Sequence, residues 1–235
     1  MIFGVVSHKG GVGKTTLVQN LGAELSSLGK RVLLVDFDPK GNLSLGWGID
    51  PDGLERAVGH GIEHPKKLGE AIIKLRPKLH LIPAETSLKT ENASQLRAAL
   101  KGQEKEYDVI IIDSQPSKNL LAMSVIEAAA HLLVPLQVHP FAYRAADQLV
   151  EELGKSSKAI RSKPVGIILT MVDQRNSLTK AIEHSARERF GKNVFKSRIP
   201  HNVDIAEAPL SGLPVGEYER MSKGAKRSEE HTSEL

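Results

Sequence analysis

The segment from residue 9 to residue 16 carries the clearest chemical signal in the sequence. It reads Lys-Gly-Gly-Val-Gly-Lys-Thr-Thr and lies between a predicted strand and a predicted helix. Glycines let backbone amides turn toward phosphate oxygens, and a helix N-terminus adds partial positive charge. Lys14 is placed to reach the β- and γ-phosphates, and the Thr15 hydroxyl to bind Mg²⁺. The predicted nucleotide-binding residues of this loop are Lys9, Gly10, Gly11, Val12, Gly13, Lys14, Thr15 and Thr16.

The loop departs from the strict pattern G-x-x-x-x-G-K-[ST] at one position. The pattern places glycine at position 8, where this chain has His8, and the loop also has an additional lysine, Lys9. A glycine-rich turn that is basic by chance is the alternative interpretation. A strand before the loop and a helix after it favour the phosphate-binding interpretation.

Three aspartates follow predicted buried strands. Asp36 and Asp38 end the run that begins at Arg31, and alternation places both side chains on the same side of an extended segment. Asp113 follows four apolar residues, which is typical of the second acidic motif of P-loop proteins, so it is expected to hold Mg²⁺ through water. Ligands of open α/β sheets bind at the carboxyl ends of strands. The alternative for the first pair is an Asp-Pro turn that only ends a strand.

Apolar runs alternate with helical patterns through most of the chain. This alternation predicts an α/β fold, with a doubly wound, mostly parallel sheet flanked by helices. The segment 42–65 is rich in glycine and lacks periodicity, so it is predicted to be a long mobile connection. The predicted strands are 2–7, 31–36, 79–83, 109–113, 131–137, 164–171 and 194–199, and the predicted helices are 15–28, 84–101, 119–130, 142–155 and 178–190.

Composition excludes several classes of protein. The chain has 235 residues, 40% of them hydrophobic, which suits one large α/β domain. It has no cysteine, so disulfides, thiolate metal sites and iron–sulfur clusters are excluded. No run approaches the ~20 apolar residues that span a bilayer, and no basic leader precedes the first apolar run, so we expect a cytoplasmic location. The net charge of +4 is compatible with nucleic-acid binding but does not indicate it.

The loop and the first acidic segment together resemble those of a known family. K-G-G-V-G-K-T-T is similar to the deviant Walker A loop of the ParA/MinD family of dimerising ATPases, and D-x-D-P-K-G-N at residues 36–42 is similar to its first switch. The resemblance implies ATP and Mg²⁺ as cofactors and a homodimer in the ATP-bound state. It also implies that Lys14 contacts the phosphates of its own subunit and Lys9 those of the partner. By the same resemblance Asp38 orients the attacking water and Asp36 lies on the Mg²⁺ side.

Two departures and two further residues complete this comparison. Lys40 stands where the family has glutamine, and Ser-Gln-Pro follows Asp113 where relatives have Thr-Pro-Pro or Cys-Pro-Pro. The loops that end at residues 173 and 200 flank the base in the family. The resemblance therefore makes Asp173 and Pro200 candidates for base binding, whereas the sequence alone shows only turns that end strands.

The form of the first switch favours the ParA branch. That branch implies a DNA-partitioning ATPase with nonspecific DNA binding and a ParB-like activator. DNA-binding members carry arginines at the positions of Arg175, His201 and Asp204, and only the first is kept. A second set of basic residues forms either a DNA-binding face or an ordinary solvated surface. The candidate DNA-binding residues are Arg175, Arg187, Arg189, Lys192, Lys196 and Arg198.

Three other functions are alternatives to this one. A MinD-like or cargo-positioning ATPase would dock on a membrane or a protein scaffold, although the residues present do not support membrane binding. An electron-transfer ATPase resembling the nitrogenase iron protein is excluded by the absence of cysteine. A small-molecule kinase or ligase is disfavoured by Lys9, because such enzymes do not need a lysine that acts on a partner.

The last nine residues, 227–235, match what one reading frame of a common sequencing adapter encodes. We therefore expect residues 1–226 to form a single P-loop ATPase domain and residues 227–235 to be a non-native tail. Members of the family continue into a final helix, which is expected to be truncated in this chain. A genuine polar tail is the alternative.

Overall fold

The computed structural model describes residues 1–219. The predicted non-native tail and the truncated final helix lie outside the described residues. Within 1–219, no helix is both long and apolar enough to cross a lipid bilayer.

An eight-stranded sheet forms the centre of the molecule. Its strands are parallel except for the edge pair β3–β4, which is antiparallel. The spatial order is β3-β4-β2-β5-β1-β6-β7-β8, which confirms the predicted mostly parallel sheet. The strands are β1 (Ile2–Val5), β2 (Val32–Phe37), β3 (Ile73–Arg76), β4 (Leu79–Ile82), β5 (Val109–Ser114), β6 (His131–Gln137), β7 (Val165–Val172) and β8 (Val194–Pro200).

Ten α-helices within residues 1–219 connect and cover these strands. They are α1 (Lys14–Ser27), α2 (Asn42–Gly46), α3 (Val58–Glu63), α4 (Ser94–Leu100), α5 (Leu120–Ala128), α6 (Pro140–Lys155), α7 (Lys158–Arg161), α8 (Ser177–Phe190), α9 (Val203–Glu207) and α10 (Val215–Tyr218). Short 3-10 turns lie at Pro65–Ala71, Gln103–Lys105, Gly191–Asn193 and Ala208–Ser211.

Side-chain alternation along the central strands divides the core into two layers. Ile110 and Ile112 of β5 belong to one apolar cluster, which includes residues of α5, α6 and α8. Ile111 of β5 belongs to a second cluster, which includes residues of α1 and α2. Because strand residues alternate between faces, an unbroken apolar strand such as β5 fits only where both faces are covered. The doubly wound prediction is therefore confirmed.

Two predicted segments are different in the structure. The helix predicted over 84–101 is present only from Ser94 to Leu100. In its first turn, the Gln95 side chain accepts hydrogen bonds from the Thr90 hydroxyl at 2.6 Å and from the Glu91 amide at 2.9 Å, in the turn that precedes the helix. Side chains that satisfy backbone and hydroxyl groups in a turn compete with helix formation, and this turn delays the helix.

The predicted mobile connection 42–65 contains two helices, α2 and α3. Helix α2 begins after Gly41, whose φ of 64° is in the left-handed region. It is held there because buried Asp36 accepts hydrogen bonds from both the amide and the hydroxyl of Ser44. The four-residue strand β3 was not predicted either, since it is a short, partly buried edge strand.

Candidate nucleotide site

The loop between β1 and α1 has the shape of a phosphate cradle. Gly11 and Gly13 have φ values of 73° and 89°, which residues with a side chain rarely adopt. The loop is fixed from outside by the Thr170 hydroxyl, which donates to the carbonyl of Val12 at 2.9 Å. Helix α1 begins directly at Lys14, so its first amides face the cradle. The arrangement fits an oxyanion such as phosphate.

The three predicted aspartates converge beside this loop. Asp36 and Asp113 are paired in register on neighbouring strands β2 and β5, and both are fully buried. The Thr15 hydroxyl donates to a carboxylate oxygen of Asp113 at 2.6 Å. Asp38 is also buried, and its carboxylate accepts from the Lys40 amide at 3.1 Å. Residues that are 98 positions apart in the chain thus share one small space.

The buried charges of this cluster are out of balance. Burial raises the pKa of Asp36 to about 6, while its hydrogen bonds from Ser44 oppose that change. Burial and the neighbouring Asp36 charge raise the pKa of Asp113 to about 7. Burial also lowers the pKa of Lys14, against the attraction of Asp113 and Asp38. Three carboxyl groups therefore face one ammonium group, and a divalent cation with oxygen ligands would neutralise the excess. Thr15, Asp36 and Asp113 fit an Mg²⁺ site on this ground.

Lys9 differs from Lys14 in its surroundings. Its side chain is half-buried, and it makes no hydrogen bond or ion pair with any other residue that the structure describes. Its backbone amide donates to the Ser7 hydroxyl at 3.1 Å, which fixes the start of the loop. Lys9 is thus a cation at the edge of the phosphate cradle without a partner in residues 1–219.

Two cavities meet at the N-terminus of α1. An open cleft of about 610 Å³ lies along the phosphate loop and is lined by Lys14, Thr15, Asp38 and Lys40, among others. A smaller, mostly apolar cavity of about 150 Å³ adjoins it and is lined by residues of α1, β7, β8, α9 and α10. Gly13 and Thr16 line both spaces. A polar cleft beside a small apolar cavity suits a ligand with phosphates at one end and a flat ring at the other.

The two candidate base-binding residues are placed differently. Pro200 lines the apolar cavity. Asp173 is not among the lining residues, and its carboxylate instead accepts hydrogen bonds from the Arg175 guanidinium at 3.0 and 3.1 Å. Met171 lines the cavity with a φ of 55°, which is strained for a residue with a side chain.

The candidate DNA-binding arginines are largely occupied by carboxylates of the same chain. Arg187 and Arg198 both donate to one oxygen of Glu183, at 2.9 and 2.8 Å. Arg189 donates to Asp147 at 2.7 Å, and Arg175 is paired with Asp173. Lys192 lies on the 3-10 turn between α8 and β8, and Lys196 lies on β8. The six residues therefore do not form a patch of unpaired positive charge.

Four neutral polar residues shape the site and were not predicted. Ser44 and Thr170 hold Asp36 and the phosphate loop, as described above. Gln19 and Asn20 lie on α1 and are 1% and 7% exposed. The available signal was their position: two adjacent amides stand between Val18 and Leu21 in an otherwise apolar helical segment. Buried polar groups need hydrogen-bond partners, so two buried carboxamides on this helix indicate hydrogen bonds to neighbouring segments.

Comparisons with known proteins agree with this geometry. A family model described as an AAA domain matches residues 1–164. The chromosome partitioning protein ParA of Caulobacter vibrioides is 34% identical over 239 residues, covering 96% of this chain and 90% of that protein.

Two solved structures are similar over nearly the whole chain. The septum site-determining protein MinD of Pyrococcus horikoshii, complexed with Mg-ADP, has a TM-score of 0.82 at 26% identity and covers 99% of this chain and 94% of its own. Cobyrinic acid a,c-diamide synthase of Mycobacterium smegmatis, with a bound ATP analogue and magnesium, has a TM-score of 0.83 at 28% identity and covers 99% and 92%.

The fold and the phosphate loop define a P-loop nucleotide hydrolase. The chain belongs to the ParA/MinD family within that class. It is an ATPase, and its cofactors are ATP and Mg²⁺.

Proposed function

We propose that this chain is a dimerising, Mg²⁺-dependent ATPase of ParA type that acts in the partitioning of chromosomal or plasmid DNA. A ParB-like protein would activate hydrolysis, and the ATP-bound dimer would bind DNA nonspecifically. Support comes from the name of the ParA relative and from the ParA-like form of the segment 36–42. We infer further that residues 1–226 form a single domain that works in the cytoplasm, at the nucleoid if DNA is bound.

The roles of the site residues follow from their positions. The phosphates would lie on the loop amides from Gly10 to Thr16, and Lys14 would neutralise the charge that develops during transfer. Thr15, Asp36 and Asp113 would surround Mg²⁺, which neutralises phosphate charge when bound. Asp38 would orient the attacking water, since it is the cleft-lining carboxylate of the three aspartates. Pro200 would contact the base from the wall of the apolar cavity. Asp173, which directly follows β7, would contact the base from the edge of that cavity.

The observation that carries the dimeric part of the proposal is the unpartnered state of Lys9. Lys9 is partly exposed and has no partner among residues 1–219, so its ammonium group is available to an anion that a ligand or a second chain supplies. In this proposal, Lys14 and the loop amides already contact the phosphates of the same subunit. By resemblance to the ParA/MinD family, Lys9 would contact the phosphates of a partner subunit, which would make hydrolysis depend on association.

Two lysine variants separate these roles. Lys14→Ala should lose ATP binding, because Lys14 contacts the nucleotide of its own subunit. Lys9→Ala should bind ATP as a monomer but lose ATP-dependent dimerisation and most hydrolysis, since a transition-state cation supplies ~10³–10⁵ in rate. The measurements are light scattering with a slowly hydrolysed ATP analogue and a nucleotide titration by calorimetry.

The matched control is Lys158→Ala, on α7, which should behave as the wild type in both assays. If Lys9→Ala dimerises normally and hydrolyses ATP at the wild-type rate, Lys9 is only a loop residue and the proposal loses its main support. If neither the wild type nor any variant dimerises with the analogue, the dimeric mechanism is wrong even though the chain is an ATPase.

One structural observation favours a second candidate function. Because Arg175, Arg187, Arg189 and Arg198 are paired with carboxylates, DNA phosphates would have to displace Asp173, Glu183 or Asp147. A cargo-positioning ATPase that docks on a protein or membrane scaffold, as the MinD-like alternative implies, would not need to do so. If the protein does not bind DNA even at low salt, this second candidate is favoured.

A further inference from the structure

Helix α1 carries two adjacent buried side chains that join three separate segments of the site. The Gln19 amide nitrogen donates to the carbonyl of Gly46 at 2.7 Å and to the carbonyl of Leu213 at 3.2 Å. The Asn20 amide nitrogen donates to the carbonyl of Thr16 at 2.8 Å, and the Asn20 oxygen accepts from the amide of Val215 at 2.7 Å. The two carboxamides thus hold the chain at 213–215 against the nucleotide-binding helix.

The segments that these amides hold line two different parts of the nucleotide site, the apolar cavity and the phosphate cleft. Val215 and Asn20 line the apolar cavity, whereas Gln19 lines the phosphate cleft. Gly46 is the last residue of α2, and α2 also carries Ser44, which donates two hydrogen bonds to Asp36. A continuous set of contacts therefore runs from the wall of the apolar cavity, through Gln19, to the acidic cluster.

The chemistry of the contacts explains why carboxamides occupy these positions. Gln19 faces two carbonyl oxygens, so it must supply two N–H donors from one nitrogen without adding a buried charge. Asn20 faces one carbonyl and one amide, so it must donate and accept at the same time. The approach is also close, because a Cβ at Gly46 would lie 3.2 Å from the Gln19 oxygen. An aliphatic side chain at either position would leave backbone groups without partners.

We propose that Gln19 and Asn20 form an amide latch that couples occupation of the apolar cavity by a nucleobase to the placement of the Asp36–Asp38 segment. Both are positioning residues: Asn20 fixes the cavity wall through Val215, and Gln19 transmits the position of that wall to α2. The proposal rests on the assignment of the apolar cavity to the base. It predicts that the base does more than add affinity, since it also promotes hydrolysis.

The test compares a ligand that has a base with one that lacks it. Mg-ADP and inorganic tripolyphosphate with Mg²⁺ are titrated by calorimetry, and ATP turnover gives kcat and KM. Asn20→Leu should weaken ADP binding about tenfold, the effect of one lost net hydrogen bond, and change tripolyphosphate binding less than about twofold.

Gln19→Leu should give the opposite division of effects. Its KM for ATP should stay within about threefold of the wild type, while kcat falls at least about tenfold, because α2 is no longer held in position. Val215→Ala keeps both hydrogen bonds of the Asn20 carboxamide, because these involve only backbone atoms of Thr16 and Val215. It is therefore a milder probe of the cavity wall if Asn20→Leu unfolds. It should weaken ADP binding and leave tripolyphosphate binding unchanged.

The outcomes distinguish failure of the amide latch from failure of the base-binding cavity or of the nucleotide site. Equal losses of ADP and tripolyphosphate affinity in Asn20→Leu, or a wild-type kcat in Gln19→Leu, would overturn the latch while the ATP site stands. Wild-type protein that binds inorganic pyrophosphate, which has the phosphates of ADP without its base, as tightly as ADP would show that the apolar cavity does not bind the base. Wild-type protein that binds neither would overturn the nucleotide site itself.

Discussion

The rim at the carboxyl ends of β1, β2 and β5 and the surface formed by α8 and β8 use charge in opposite ways. At the rim, Asp36, Asp38, Asp113 and Lys14 are buried, and the carboxylates outnumber the cation. On the α8–β8 surface, Arg187 and Arg198 share Glu183, and these side chains remain 14–37% exposed. The rim keeps an electrostatic imbalance inside the protein, whereas the α8–β8 surface cancels its charges locally.

This difference indicates where a ligand is expected. Buried charges without full compensation destabilise the folded chain, so they persist where a bound group completes them. Ion pairs at a surface are compensated by each other and by solvent, so they need no ligand. In the proposed function, Mg²⁺ and ATP complete the rim, while the α8–β8 surface needs no ligand. The predictions below test the two halves of this comparison.

The largest expected effect is on the rim. Lys14→Arg keeps the charge but replaces a compact ammonium group with a wider guanidinium in a space where Lys14 is only 7% exposed. ATP turnover should fall by at least about 10³, close to the loss in Lys14→Ala, since catalysis depends on a positioned charge. A coupled assay of ADP release checks this. Retention of more than about a tenth of the wild-type rate would mean that charge alone suffices at this position.

A second expected effect concerns pH and Mg²⁺. Burial raises the pKa values of Asp36 and Asp113 to about 6 and about 7, above the ~3.9 of an unfolded aspartate. The folded state therefore binds more protons than the unfolded state between these values, so the stability of the ligand-free protein should fall as pH rises from about 4 to about 7. Mg²⁺ should raise the melting temperature more at pH 8 than at pH 5. Differential scanning calorimetry measures both effects.

Two aspartate variants serve as controls for this pH dependence. Asp113→Asn should flatten it and reduce the stabilisation by Mg²⁺. Asp108 is the opposite case, because its hydrogen bonds with Arg31 lower its pKa to about 2, so its contribution is present above pH ~4 and is lost as pH falls. Asp108→Asn should leave the response to Mg²⁺ unchanged. Identical pH profiles for wild type and Asp113→Asn would contradict the electrostatic account of the rim.

A third prediction breaks the balance of the α8–β8 surface. Glu183→Gln releases Arg187 and Arg198 at once, and should cost about 1–2 kcal/mol of unfolding free energy because Glu183 is largely buried. If this surface binds DNA, affinity at low salt should rise about tenfold, and the slope of log K against log salt should steepen by about 1–2. Glu188→Gln, an exposed residue of the same helix that is paired with His184, is the matched control.

Fluorescence anisotropy with a random duplex, measured at several salt concentrations, distinguishes the outcomes of this experiment. An increase only in Glu183→Gln supports a DNA-binding role for the released arginines. Equal changes in both variants would reflect net charge alone. No change in either would remove the α8–β8 surface from the proposed DNA interface.

The smallest effect is expected for Arg175→Ala. The Arg175 side chain is 91% exposed and is paired with Asp173 in the described part of the chain, so its removal should leave the melting temperature and ATP turnover unchanged. DNA affinity should fall by a few-fold if Arg175 contacts a phosphate. A clear loss of ATP turnover would show that the Asp173–Arg175 turn affects the adjoining cavity and would blur the distinction between the rim and the surface.

The sequence by itself determined the central sheet and the phosphate loop. Both depend on local information: an unbroken apolar run such as 109–112 is satisfied only between two covered faces, and the glycines at 11 and 13 can adopt positive φ values without strain. The placement of aspartates directly after such strands also predicted that Asp36 and Asp113 would meet, because parallel strands end at a common edge. Order along the chain was sufficient for these features.

Only the tertiary structure decided which charges are neutralised and which polar groups hold the site. Glu183 joins arginines from α8 and β8, and Gln19 reaches Leu213, which is 194 residues later in the chain. Such contacts depend on the distance between side chains after packing. The local sequence around an arginine or a glutamine is the same whether or not the fold brings a partner within reach. The basic surface and the amide latch were therefore decided by the fold, because a hydrogen bond needs both groups within about 3 Å.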